Sequence, residues 1–293
     1  MDTLGLQNAT SPWARQGFFG PVTATLDWCE ANYQFSYYIA ELANSFSNLF
    51  TIALAFYGGG KIYEQGLPFR YVVGNAGVAL VGIGSFAFHA SLLYEAQLAD
   101  ELPMIYVAAM SLWLLFDTRP GFNLSSARTK YSVLAMIIFD VLFTYSYYSY
   151  RNPVYHQVVF ASIVIGVAVR ITYLLRWSPI ANHVPASQKA AVGQVFGTGT
   201  FLFLLGFLIW NLDNIFCDTL TSWKRFVGWP AAFLLEGHSW WHVFTGAGTY
   251  MKSIGIQCNS LCIKDNPQNY TLQWKLGMPY IHRADAKAKA KKL

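Results

Sequence analysis

The sequence predicts an all-α membrane protein, a seven-transmembrane helix bundle with its N-terminus in the lumen and its C-terminus in the cytosol. Three observations carry that prediction. Hydrophobic residues fill 54% of the 293 positions and charged residues only 12%, about half the roughly 25% charge of soluble domains. Seven stretches are apolar over the ~20 residues a bilayer crossing requires. Lys and Arg are also distributed unequally between alternate connections, which sets an orientation.

Residues 1–35 form a polar leader containing Asp27, Glu30 and Asn32. It lacks the basic start and short apolar core of a cleaved signal, so it is expected to be a retained lumenal segment. The spans follow at residues 37–57, 71–94, 98–116, 131–148, 153–175, 192–210 and 226–250, giving a bundle over 36–252 and a basic cytosolic tail over 253–293. Turn or charge signals separate them, among them Gly58-Gly59-Gly60, Asp117-Thr118-Arg119-Pro120-Gly121, Arg151-Asn152-Pro153 and Ser178-Pro179. Alternate connections carry Lys61 and Arg70, then Arg119, Arg128 and Lys130, then Arg176 and Lys189, then the tail. The opposite side holds only Arg15, Arg151, Lys224 and Arg225. The net charge of +5 therefore has a topological explanation and needs no nucleic-acid partner. No protein partner can be inferred.

Ionisable residues are costly in hydrocarbon and mark polar interior sites. His238 and His242 share a helix face at i and i+4, as do Ser85 and His89, and Asp100 opens the third span. The expected topology puts His89, Asp100 and Glu41 in the outer half of the membrane and His238 about 18 Å along the last span. Three imidazoles with an open fourth position suit a catalytic zinc. Histidines that are merely hydrogen-bonded packing residues remain the alternative for an isolated HxxxH pair. Glu236 lies two residues before His238, about 200° around a helix, so a general base must come from elsewhere. Asp100 is the candidate, with a helix cap or interfacial carboxylate as its alternative.

The segment Asp27-Trp28-Cys29-Glu30-Ala31-Asn32-Tyr33, with Glu41, Ser85-x3-His89, Asp100 and His238-x3-His242, resembles the alkaline ceramidases, seven-span amidohydrolases of the endoplasmic reticulum and Golgi. The resemblance runs from about Trp13 to the end of the last span. The serine, histidine and aspartate pattern is shared with a wider superfamily that includes adiponectin-type receptors; the D-W-C-E-x-N-Y segment points to ceramidases. The resemblance implies that His89, His238 and His242 hold zinc, that Asp100 holds and deprotonates the attacking water, and that Ser85 steadies the water or oxyanion. Ceramide, with dihydro- or phytoceramide as variants, would be cleaved at its amide to a sphingoid base and a free fatty acid. A zinc-containing lipid-sensing receptor with little turnover is the alternative.

The same resemblance makes Asp27, Trp28 through its backbone carbonyl, Glu30, Asn32 and Glu41 a structural and regulatory calcium site. Alternating oxygen-bearing side chains suit that hard cation, while a solvated acidic turn would have the same composition. It also supports a disulfide between Cys29 and Cys217, both expected on the lumenal side. Cys258 and Cys262 are expected to be cytosolic juxtamembrane thiols or acylation sites. Asn8-Ala9-Thr10 is a lumenal glycosylation sequon. Asp213 and Asn214 are candidates for supporting the zinc site or capping a helix, Asp140 for interhelical hydrogen bonding, and Arg170 for snorkelling. Lys289-Ala290-Lys291-Lys292-Leu293 resembles a dilysine retrieval signal, with attraction to anionic lipid as the alternative.

Overall fold

The structure is a computed structural model and describes residues 17–124 and 126–284. The Asn8 sequon and the dilysine-like end lie outside the described residues. Among these residues are seven long helices: α1 (Leu42–Glu64), α2 (Phe69–Ser91), α3 (Tyr94–Phe116), α4 (Ala127–Tyr150), α5 (Pro153–Arg176), α6 (Ala186–Ile215) and α8 (Gly237–Lys264). A shorter helix, α7 (Cys217–Val227), precedes α8, and strands β1 (Tyr270–Lys275) and β2 (Met278–Arg283) follow it. Helices α2 to α6 are each long and apolar enough to cross a membrane. The protein is a multi-pass helical membrane protein.

Local chemistry sets several boundaries. Arg151 adopts the left-handed conformation and ends α4, while the Asn152 side chain accepts from Val154 N and Pro153 opens α5, the expected pairing of cap and first-turn proline. The largest departure from the sequence reading concerns the last helix. Residues 226–227 close α7, Gly228 and Pro230 interrupt the chain, and α8 begins only at Gly237. His238 is thus in the first turn of α8, not about 18 Å along a span. Glu41 immediately precedes α1 instead of lying inside it, and α3 starts early enough to put Asp100 between one and two turns in.

At its other end α8 continues to Lys264, so the first dozen residues assigned to a tail are helical. Cys258 and Cys262 are free thiols, one of the two expected states, and are buried within that helix. Beyond it, β1 and β2 pair antiparallel in register from Tyr270↔Arg283 to Lys275↔Met278. The two turn residues, Leu276 and Gly277, both have positive φ, the geometry that matches the twist of a two-residue hairpin.

The chain divides into two compact units, and α1, α2, α3, α6 and α8 contribute residues to both. One takes in the residues up to Ala53, Ala79–Pro103 and Leu202–Ala247; the other holds Leu54–Val78, Met104–Phe201 and the residues from Gly248. In the first, the leader is bonded onto the end of α2: Thr23 N and Ala24 N donate to Leu92 O, and Ala40 N to Ala90 O. Tyr33, Ala40, Phe88 and Leu92 form its buried apolar cluster, with Leu26 and Trp28 packed against it. A disulfide joins Cys29 to Cys217, and buried Lys224 donates to Cys29 O and pairs with Glu236 at 2.6 Å.

In the second unit the hairpin docks through Tyr250 Oη to Pro279 O at 2.6 Å and Arg283 N to Gln65 Oε1 at 3.1 Å. Arg170 is tied by Nε to Leu115 O and stacks over Phe116 and Tyr173. The Asp140 Oδ1 atom is buried without a hydrogen-bond partner among the described residues, so the structure shows no interhelical bond for it. Asp117 gathers Arg70 at 2.6 Å and Lys264 at 2.8 Å. Burial raises the Asp117 carboxyl, but hydrogen bonds and charge from Lys264 and Arg70 outweigh it and hold it below the usual carboxylate range. Its stabilisation is present above the unfolded-state value and is lost as pH falls through the lower folded-state value. Asp117→Asn strands two cations. It should cost about 3–5 kcal/mol, read as a lower midpoint of thermal unfolding in detergent that becomes insensitive to acid in the pH range where the parent weakens.

Candidate metal centre

His89, His238 and His242 are all buried, and each offers a nitrogen within 4.8 Å of the others. They reach this point from α2 and from the first two turns of α8. Among the described residues it is the one group of three or more His, Cys, Asp or Glu side chains gathered this closely. Ring centroids are 4.7 to 5.0 Å apart.

Two of the three imidazoles are turned by hydrogen-bond partners. The backbone bond from Glu41 N to His89 O at 3.0 Å brings the Glu41 carboxylate, fully buried, against His89 Nδ1. On α1, Ser47 Oγ lies 2.8 Å from His242 Nδ1, with Asn48 Nδ2 at 3.3 Å. Partners on Nδ1 leave Nε2 of both rings for the cluster, the arrangement by which outer groups fix tautomer and orientation in metal sites. Nothing in the sequence pattern singled out Ser47 or Asn48. His238 Nδ1 is buried with no hydrogen-bond partner among the described residues.

Ser85 Oγ is 3.5 Å from His242 Nε2, and its side chain lies near the Asp100 carboxyl. Close crossing of α2 and α3 makes this meeting possible. A Cβ on Gly84 would lie 2.0 Å from Ala99 O and 2.8 Å from Asp100 N. Asp100 is not among the tightly gathered ligand atoms, as suits a group acting beside a metal rather than on it. Glu236, preceding α8, is engaged by Lys224. Asp213 Oδ1 accepts from Gly237 N at 3.0 Å and caps α8, while its Oδ2 is buried without a partner.

The leader acids are less tightly gathered. Both Glu30 oxygens accept from the N-terminus of α1, Oε1 from Ala43 N at 2.7 Å and Oε2 from Asn44 N at 2.8 Å. Burial, then the charges of Glu236 and Glu41, push the Glu30 carboxyl well above the usual range, and those two backbone bonds pull it back. Asn32 Oδ1 and Glu41 Oε1 are buried oxygens without partners. Two such atoms beside Glu30 fit a hard cation, although Asp27, Glu30 and Glu41 do not close into a single ligand cluster.

A multi-pass helical protein that converges three buried imidazoles beside a Ser–Asp pair has the makings of a membrane metalloenzyme. The Ceramidase family model matches residues 20–282, and the chain belongs to that family. It is 34% identical over 237 residues to Alkaline ceramidase 3 of Mus musculus, covering 81% of this chain and 84% of the relative. It is 32% identical over 271 residues to Alkaline ceramidase YPC1 of Saccharomyces cerevisiae, covering 88% and 84%. Similarity to Alkaline ceramidase of Arabidopsis thaliana is 27% over 266 residues, covering 90% and 94%.

Proposed function

We propose that this chain is an intramembrane zinc-dependent ceramidase that hydrolyses the amide bond of ceramide to a sphingoid base and a free fatty acid. The observation that carries the reading is the buried trio His89, His238 and His242 in a member of the ceramidase family. The three histidines would hold zinc, which supplies a Lewis acid for the amide carbonyl and acidifies water towards neutrality. Asp100 orients the attacking water, takes its proton at a carboxylate oxygen, and returns a proton to the departing amine. Ser85, beside that carboxylate, would steady the water or donate its one O–H to the developing oxyanion. Glu41 and Ser47 Oγ accept from Nδ1 of His89 and His242 and so hold both rings in the tautomer that leaves Nε2 free. One water is consumed and the amide C–N bond breaks.

The relatives' names favour this enzyme over a lipid-sensing receptor. Helices α1 and α8, 23 and 28 residues long, complete seven crossings in the proposal, since ~1.5 Å per residue exceeds the ~30 Å hydrocarbon core. In α1, Ser47 and Asn48 face His242. The N-terminus is lumenal, the C-terminus cytosolic, and the membrane that of the endoplasmic reticulum or Golgi. Calcium at Asp27, the Trp28 carbonyl, Glu30, Asn32 and Glu41 would stabilise the leader against α1.

Purified protein offered a panel of ceramide, dihydroceramide and phytoceramide should release free sphingoid base, measured by mass spectrometry, and the panel fixes the preferred base. Absence of release from every member contradicts the enzyme. Glu41→Gln should cost ~10–100-fold in zinc retention or turnover; unchanged values would remove Glu41 from the site's support. Calcium chelation should lower both thermal midpoint and turnover, and no change in either would sink the calcium reading.

A further inference from the structure

His89 and His242 are each oriented by hydrogen bonds, but His238 is oriented differently. Its ring lies flat against the Trp28 indole, with centroids 3.9 Å apart and planes inclined by only 22°. No hydrogen bond holds its buried Nδ1 among the described residues. Resting on the metal reading above, we propose that the Trp28 side chain is the positioning residue for His238, doing by stacking what Glu41 and Ser47 do for the other two imidazoles. This role belongs to the indole and is separate from the backbone carbonyl that the calcium reading uses.

The indole is itself held from several sides. It packs against the buried Tyr33, Ala40, Phe88 and Leu92 cluster and meets the Trp210 ring of α6 edge-on at 5.9 Å. The adjoining residue, Cys29, is joined to Cys217, and the next, Glu30, grips the α1 N-terminus. The segment around Trp28 is therefore anchored at two places immediately after the ring. A near-parallel stack at this separation puts the two ring faces in van der Waals contact. A ligand on the first turn of α8 has few backbone constraints from its own helix, so an external wall matters there more than at His242, one turn further in. Rotation of His238 about its side-chain bonds would carry its nitrogen away from the other two, and the anchored indole blocks that rotation.

The test compares Trp28→Leu and Trp28→Phe with the parent in the full chain in detergent; both variants keep the Trp28 carbonyl. Trp274→Leu, at an exposed hairpin position, serves as a control. Three quantities are read: zinc remaining under a competing chelator, the ligand-field spectrum of the cobalt-substituted protein, and kcat and KM for ceramide. Trp28→Leu should lose zinc affinity or kcat by ~10–100-fold, the usual effect of removing a group that orients a ligand, with an altered cobalt spectrum and KM little changed. Trp28→Phe should recover most of each, because it restores a ring face, and Trp274→Leu should match the parent. A Trp28→Leu protein with the parent's cobalt spectrum and zinc retention overturns the proposal. So does a Trp28→Phe protein as impaired as Trp28→Leu, which would make the indole a shape-specific plug. If the parent itself takes up neither zinc nor cobalt, the metal reading fails and the proposal with it, a result distinct from the other two.

Discussion

Asp100→Asn is expected to leave the metal bound and remove nearly all turnover. Asparagine keeps the size and polarity beside Ser85, which approaches Asp100 across the close α2–α3 crossing, but cannot accept a proton from water. A positioned general base contributes about 10²–10⁴-fold, and the loss should fall on kcat. The Asp100 carboxylate stands apart from the three gathered imidazoles, so zinc content should stay at the parent level. Single-turnover kinetics together with metal analysis checks both parts. Zinc lost in step with activity would make Asp100 a ligand. For comparison, Ser85→Ala should cost up to ~10²–10³-fold if Ser85 donates to the oxyanion.

Gly84→Val should be nearly as damaging without touching any reactive group. The obstacle is backbone: a Cβ at this position meets Ala99 O at 2.0 Å and Ala99 C at 2.4 Å. Flexible side-chain atoms could yield, whereas α3 must move bodily. Because Ser85 follows Gly84 and Asp100 follows Ala99, that movement separates the two at the crossing where they meet. A displacement of about 1 Å in catalytic geometry can cost 10²-fold, and overpacking adds roughly 1–3 kcal/mol of destabilisation. Turnover by the folded fraction, measured beside thermal unfolding, separates the two effects. Gly84→Val with parental kcat would mean that the crossing does not set the Ser85–Asp100 geometry.

The extent to which this architecture was legible follows from what hydropathy measures. Helices α4 and α5, whose apolar windows are only 11% and 17% buried, are lipid-type surfaces and stood out as apolar runs. Helix α1 carries the Asn44 side chain to Glu41 and Ser47 and Asn48 to His242, and α8 carries Gln257, Asn259 and Ser260 in its buried second half. Polar residues turned to protein dilute the apolar signal, so the end of α8 reads as a tail in the sequence. Its start was misplaced for the opposite reason. Phe226, Val227, Trp229 and the apolar run 231–235 extend the hydrophobic stretch backward across α7 and the turn after it, although Gly228 and Pro230 mark a break.

The site was readable where helical spacing and residue type coincide, as for His238 with His242 and Ser85 with His89. Long-range partners were not: Trp28 against His238 and Glu41 against His89 depend on how the leader folds back onto α2. The leader acids had been assigned to a cation, while the structure gives Glu30 a capping role and Glu41 a place at His89 as well.

The central claim, a zinc held by His89, His238 and His242 for amide hydrolysis, is tested most directly by metal stripping. One preparation of purified protein is assayed for zinc per chain and for sphingoid base released from ceramide before chelation, after it, and after stoichiometric zinc is returned. Zinc should be present at about one per chain, turnover should disappear with it and return with it, and His242→Ala should neither rebind zinc nor recover. Full ceramide hydrolysis by the stripped protein, or by His242→Ala, would contradict the account.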